Sequence, residues 1–319
     1  MTDKELVLLN KRFCNDYNVS IQLFTEPYFT DRVKLMGKYS EYLDLLRIVK
    51  EDFNDNVEEY LSYYNEVKES IIQYIKNSTA FKSLNEDNMS KYAVKSIFPK
   101  CDIYKEDNIG KKFISIDWKK ANFSVLVKYA EITNTKFFNS FDWVDFMKQF
   151  TKYEYIVNSK YIRQVVFGNC NPKRQIDLER YYMFKFTESL LYTLKFLKDD
   201  MVVSLREDEL ILDATFMTDE EIGKVKLLCE ELESEYLPMS FEVFTLGRLT
   251  NTEAYVKCKG TNSDNFEFEL KCVNPYEAPF IYRFMRGELL QDTDLYFYNK
   301  PYVARFVTYP KDIEIDFGG

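Results

Sequence analysis

The sequence predicts an α+β fold: an antiparallel sheet flanked by helices, with a helical N-terminal segment and a β-rich C-terminal appendix. Three observations predict it. Apolar residues recur at helical spacing between residues 30 and 84. Two apolar strands flank an acidic turn between residues 201 and 214. Aromatic and polar residues alternate through much of residues 251 to 310.

In chain order, Val33, Leu35, Met36, Tyr39, Tyr42, Leu43, Leu46 and Val49 make one amphipathic helical run. Asn54-Asp55-Asn56 breaks it, and Val57, Tyr60, Leu61, Tyr64, Val67 and Ile71 make a second. The short connection predicts an antiparallel pair. A polar turn at 105–110 leads into Lys112-Phe113-Ile114-Ser115-Ile116, an alternating strand that ends at Asp117. Residues 141 to 199 read as mostly helical, broken at Asn169-Cys170-Asn171-Pro172. Met201–Leu205 and Leu210–Ala214 form a hairpin with Glu207-Asp208-Glu209 at its tip. Thr218 and Glu221 have the spacing of a capping box, which opens another helix. Phe241-Glu242-Val243-Phe244 is a further strand, and runs such as Tyr255–Cys258 and Phe266–Leu270 supply the β-rich end.

Composition narrows the chemistry. The 319 residues contain no histidine, which removes Ser-His-Asp, Cys-His and histidine acid–base catalysis. Six cysteines stand without any Cys-x-x-Cys pair, so a structural zinc site is not expected. Carboxylates, lysine, tyrosine or bound metal ions remain. The longest apolar runs fall far short of a membrane span and the first residues do not read as a secretion signal, so cytoplasmic residence without membrane contact is expected. The net charge of −9 disfavours a uniformly basic nucleic-acid binder, but a local basic groove suffices for binding a polyanion. Lys119, Lys120, Lys160, Arg163, Lys173, Arg174, Arg180 and Lys185 provide one in the middle of the chain.

Three segments carry the candidate chemistry. A strand delivers Asp117 at its end, followed by Trp118-Lys119-Lys120-Ala121-Asn122 and a helix. Arg163, Phe167 and Asn171 recur every four residues. The hairpin tip holds Asp208 between Glu207 and Glu209. Two-metal phosphoryl transfer needs hard oxygen ligands on adjacent strands, and Asp117 and Asp208 would supply them, supported by Glu209 or Glu207. A cation on a facing helix would neutralise a triphosphate, and an aromatic one turn later would cover a base.

These residues resemble the palm of family A DNA polymerases, the DNA polymerase I type. Asp117-Trp-Lys-Lys-Ala-Asn-Phe-Ser-Val-Leu126 is similar to that family's motif A, Arg163-x-x-x-Phe167-Gly168 to its fingers-helix motif B, and Glu207-Asp208-Glu209-Leu210 to its motif C. The resemblance covers roughly residues 105 to 248. It implies a palm-like antiparallel sheet, two Mg²⁺ ions (replaceable by Mn²⁺) at Asp117 and Asp208, nucleoside triphosphates, and a primer–template as partners. Arg163 would contact the phosphates and Phe167 the base, with Lys119, Lys120 and Arg180 as further contacts. Departures accompany it. Asn122 stands where the family has a glutamate that excludes the ribose 2′-hydroxyl, and Asn171 replaces a tyrosine. The implied organisation is a thumb-like helical region at 1–104, a palm with reduced fingers at 105–250, and an appendix at 251–319. The expected activity is extension of a nucleic-acid 3′ end. The alternative is a degenerate palm that binds nucleic acid or protein, alongside accessory subunits in a replication or transcription complex.

Overall fold

The computed structural model describes residues 1–140, 142–260 and 267–318. Phe141, at the start of the predicted helical stretch, and Phe266, in a predicted strand, lie outside the described residues. The N-terminal region is helical: α1 (Asp3–Tyr17), α2 (Tyr28–Leu35), α3 (Tyr39–Asp52), α4 (Val57–Asn77) and α5 (Thr79–Glu86). The predicted break is real. Asn54 and Asp55 take left-handed backbone conformations, and the Asn56 side chain accepts from the Glu59 N–H to cap α4. The expected antiparallel pair of α3 and α4 does not dominate, because the apolar face of α4 packs mainly on α9, α5 and α1.

Strand β1 (Lys112–Trp118) leads into α6 (Ala121–Ile132), and Lys120 makes the turn between them with a left-handed backbone. Then come α7 (Trp143–Met147), α8 (Glu154–Val157), α9 (Lys160–Gly168) and α10 (Pro172–Thr193). Strands β2 (Val202–Leu205) and β3 (Glu209–Asp213) form the expected acidic-tipped hairpin. Helix α11 (Asp219–Leu232) opens with the capping box of Thr218 and Glu221, and β4 (Met239–Leu249) follows.

The expected β-rich end also holds a helix, and part of it joins the main sheet. β5 (Tyr255–Lys259) and β6 (Glu267–Lys271) continue the main sheet, and β9 (Ile315–Asp316) pairs with β4. Between them lie α12 (Ala278–Arg286) and a separate hairpin of β7 (Tyr296–Asn299) and β8 (Tyr302–Arg305). Pro279 in the first turn of α12 and Gly287 at its left-handed C-cap mark a helix that the aromatic alternation hides. The α12 region packs against α2, where the Arg32 guanidinium donates to the Tyr296 carbonyl at 2.6 Å.

The main sheet runs β2-β3-β1-β4-β5-β6, all antiparallel. Strand alternation gives it two faces. Ile114, Ile116, Trp118, Leu210, Leu212 and Met239 enter the large core shared with the helices. On the other face, Phe113, Ile211, Phe244 and Leu246 form a small second cluster with Ile103. The same face carries Ser115, Asp117, Glu209 and Glu242 toward the hairpin tip, as the register requires. Among the described residues no helix is long and apolar enough to cross a membrane.

Candidate active site

Asp117 and Asp208 meet at the end of the sheet. Asp117 is paired in register with Glu209 on one side and Ser240 on the other. The next backbone N–H, that of Trp118, donates to the Asp208 carbonyl at 2.9 Å, so the turn residue is tied to β1. The turn itself is closed by the Arg206 N–H donating to the Glu209 carbonyl at 2.8 Å. The Ser115 hydroxyl donates to the Glu209 carboxylate at 2.7 Å, which fixes that side chain on the acidic face.

Crowding of like charge is visible in the proton affinities. Burial, then Asp208, Glu209 and Glu242, push the Asp117 carboxyl up to about 7, against a smaller opposing pull from Lys257. Asp208 is also raised, by burial first and by Glu209 and Glu207, while a backbone hydrogen bond and Arg206 oppose the shift. Helix α10 adds a third acid that sequence reasoning passed over. Glu179 is buried, one of its carboxylate oxygens lacks a hydrogen-bond partner among the described residues, and burial with Asp208 and Glu207 raises it to about 8.

Glu207 behaves differently from its neighbours. One carboxylate oxygen takes Lys100 Nζ at 2.5 Å and Arg180 at 3.1 Å. Those cations outweigh the effect of burial and lower it to about 2. Glu207 therefore braces the turn between the segment ahead of the sheet and α10 through these two ion pairs. Arg180 is correspondingly engaged with Glu207 and with Asp177 at 3.5 Å rather than held open for substrate.

The remaining expected substrate contacts divide. Lys119 is exposed and makes no side-chain hydrogen bond or ion pair among the described residues, while Lys120 lies 3.4 Å from Asp142. Asn122, in the first turn of α6, is half-buried and makes no side-chain hydrogen bond among the described residues. Arg163 is half-buried, its Nε lacks a partner among the described residues, and burial lowers its proton affinity. Phe167 is a core residue, 1% exposed, with its ring 5.6 Å from that of Trp143 and 6.3 Å from that of Phe138. A base has no access to that ring. Asn171 does not share a helix face with Arg163 and Phe167, because α9 ends at Gly168; Asn171 takes a left-handed backbone before α10 and donates to Asn85 at 2.6 Å.

On the far side of β1, Glu242 accepts from Lys259 at 2.7 Å and lies 3.6 Å from Lys257. The Lys257 side chain is almost wholly buried and sits over the Phe244 ring. Strand alternation at Phe241-Glu242-Val243 was the available signal that Glu242 shares the face of Asp117; the lysines became visible only once β5 was placed in the sheet.

The donor set suits a hard divalent cation. Two carboxylates held together against their mutual repulsion are stabilised by such an ion, and their oxygens are the ligands it prefers. Among the described residues no group of three or more acidic, histidine or cysteine side chains is arranged to hold a metal. Asp117 and Asp208 are the two acids that could contribute oxygens to such a coordination. No known protein family and no curated protein matches the chain.

Proposed function

We propose that the chain is a nucleotidyltransferase that extends a nucleic-acid 3′ end at Asp117 and Asp208, in the manner of a reduced family A polymerase palm. The observation that carries this reading is the juxtaposition of the strand-end aspartate with the hairpin-turn aspartate through the Trp118–Asp208 hydrogen bond. The order hairpin, β1, β4 and the helices covering the opposite face support it, since this layout leaves the acidic face free for substrate.

In this reading Asp117 and Asp208 hold divalent ions, which supply charge neutralisation at the reacting phosphate and activation of the attacking hydroxyl. Glu207 and Arg180 keep the turn aimed. Arg163 and Lys119, neither of which makes an ion pair among the described residues, would be available to the triphosphate. The test is extension of a labelled primer on a DNA or RNA template with dNTPs or rNTPs, in Mg²⁺ and in Mn²⁺. Metal-dependent growth of the primer supports the reading, and its absence in every combination overturns it.

One set of observations favours a second reading, in which a degenerate palm binds nucleic acid or a protein. Phe167 is packed away and Glu207 is consumed by ion pairs. In that case the chain retains primer–template affinity without incorporation.

A further inference from the structure

Two grooves flank the loop after α10, one reaching Ile97 and Phe98 and the other reaching Asp213 at the end of β3 away from the carboxylates. β3 runs from Glu209 at the site to Asp213, and five residues of strand place the two ends about 13 Å apart. The first groove, about 640 Å³, is lined by Ile97, Phe98, Phe184, Glu188, Tyr192 and Asp199 among others. The second, about 390 Å³, is lined by residues including Phe196, Lys198, Asp200, Asp213, Phe216 and Glu221. The loop after α10 joins them, giving Asp199 to one and Asp200 to the other.

Their apolar residues are unusually open. Phe216 is 97% exposed, Ile97 79% and Tyr192 77%. Large apolar side chains this exposed, gathered around one loop, mark a surface that another molecule covers. The polar lining identifies its chemistry. Five carboxylates, Glu188, Asp199, Asp200, Asp213 and Glu221, stand against one lining cation, Lys198. Glu188 is bridged by Lys185 at 2.7 Å, but Asp199 and Asp200 have no ion pair among the described residues. Tyr192 already receives a cation, since Lys195 Nζ lies 4.0 Å above its ring. An acidic rim repels a nucleic-acid backbone and attracts lysine and arginine.

We infer that this face docks a basic amphipathic helix of a partner protein. Its apolar side chains would cover Phe216, Tyr192 and Ile97, and its flanking cations would meet Asp199 and Asp200. Neither Asp117 nor Asp208 lines either groove. The inference rests on this surface and not on the nucleotidyl-transfer reading.

The test titrates the full chain with a fluorescent leucine–lysine peptide of about 14 residues, patterned to put the leucines on one helical face. A scrambled peptide of the same composition and a leucine–glutamate peptide serve as controls. The patterned basic peptide binds saturably and more weakly as salt rises. Its affinity falls at least tenfold in a chain carrying Tyr192→Ser with Phe216→Ser, and likewise in one carrying Asp199→Asn with Asp200→Asn. The second pair keeps the apolar surface, so the outcome does not depend on a single variant folding well. Equal binding of patterned and scrambled peptides, or unchanged affinity in both variants, overturns the inference. Self-association of the chain that is lost on Tyr192→Ser with Phe216→Ser overturns it in favour of a second copy as the occupant.

Discussion

The N–H of Trp118 donates to the carbonyl of Asp208 across 2.9 Å, and this backbone bond places the hairpin turn against the end of β1. The side chains that follow from it are acidic on one face of the sheet. Trp118 itself points to the opposite face, where its ring lies 5.2 Å from that of Phe186 on α10. Core packing on one side thus positions the carboxylates on the other, and the predictions below test the parts of that arrangement.

The pH dependence of stability follows from acids that burial and like charge raise. A carboxyl whose folded-state affinity lies above its unfolded value stabilises the fold below the unfolded value, and that stability is lost as pH rises through the folded one. Asp117 at about 7 and Glu179 at about 8 therefore make the metal-free chain lose stability as pH rises from about 4 to 8. Thermal melts in a chelator should show Tm falling over that range. Glu179→Gln should flatten the slope and raise stability at pH 8 by about 1 kcal/mol, because a buried charge with an unpaired oxygen is removed. A Tm that rises through the same window contradicts the assignment.

Arg163 makes no ion pair among the described residues, and its Nε has no hydrogen-bond partner there. Arg163→Met should leave stability within about 0.5 kcal/mol, since no ion pair is broken and most of the packing stem remains. Triphosphate affinity should fall about tenfold, seen as a raised KM with a smaller drop in kcat. Loss of stability with unchanged KM would assign Arg163 to the fold alone.

Asp16 tests the helical region. It is fully buried on α1, pairs with Arg12 at 3.6 Å, and accepts from the hydroxyls of Tyr64, Tyr155 at 3.0 Å and Ser159 at 2.8 Å. The three hydroxyls lie on or beside α4, α8 and α9. Asp16→Ala should cost about 3 kcal/mol in urea unfolding, because it takes the carboxylate from a half-buried guanidinium and from several buried hydroxyls. A loss below about 1 kcal/mol would mean that water replaces the carboxylate readily.

Under the proposed function, Asn122 would bear on sugar choice. It is shorter than the glutamate expected from the resemblance, neutral, and able to donate and accept. Competition between matched dNTP and rNTP on one primer–template should show weak discrimination in kcat/KM. Asn122→Glu should favour dNTP by at least tenfold. Strong exclusion of rNTP by the unmodified chain would place the gate on another side chain.

The acidic end of the sheet was legible because strand periodicity and a hairpin tip are local signals. Asp117 and Asp208 each sit where a short apolar run ends, and pairing those runs antiparallel brings them together. Phe167 was not legible. A four-residue spacing from Arg163 suggests a shared face, but the sequence does not say which neighbours cover it, and Trp143 and Phe138 arrive from another helix and a loop. Asn171 illustrates a boundary effect, since the helix stops at Gly168 and the face with it. Glu179 was hidden among the many charges of α10; only packing distinguishes a buried acid from a solvated one. Glu207 looked equivalent to Glu209 until Lys100 and Arg180, both distant in sequence, were placed around it. The lysines of β5 required long-range pairing with β4.

The most direct measurement of the central claim is single-turnover primer extension, in Mg²⁺ or Mn²⁺, by Asp117→Asn and Asp208→Asn beside Glu207→Gln. The aspartate variants keep the shape of the site and remove the charge that would hold the ions under the proposed function. Each should reduce the rate by about 1,000-fold or more while Tm at pH 8 is unchanged or raised, because metal-bound phosphoryl transfer depends on those ligands. Glu207→Gln should reduce the rate by about tenfold, as loss of a brace does. Near-unmodified rates in either aspartate variant would contradict the account.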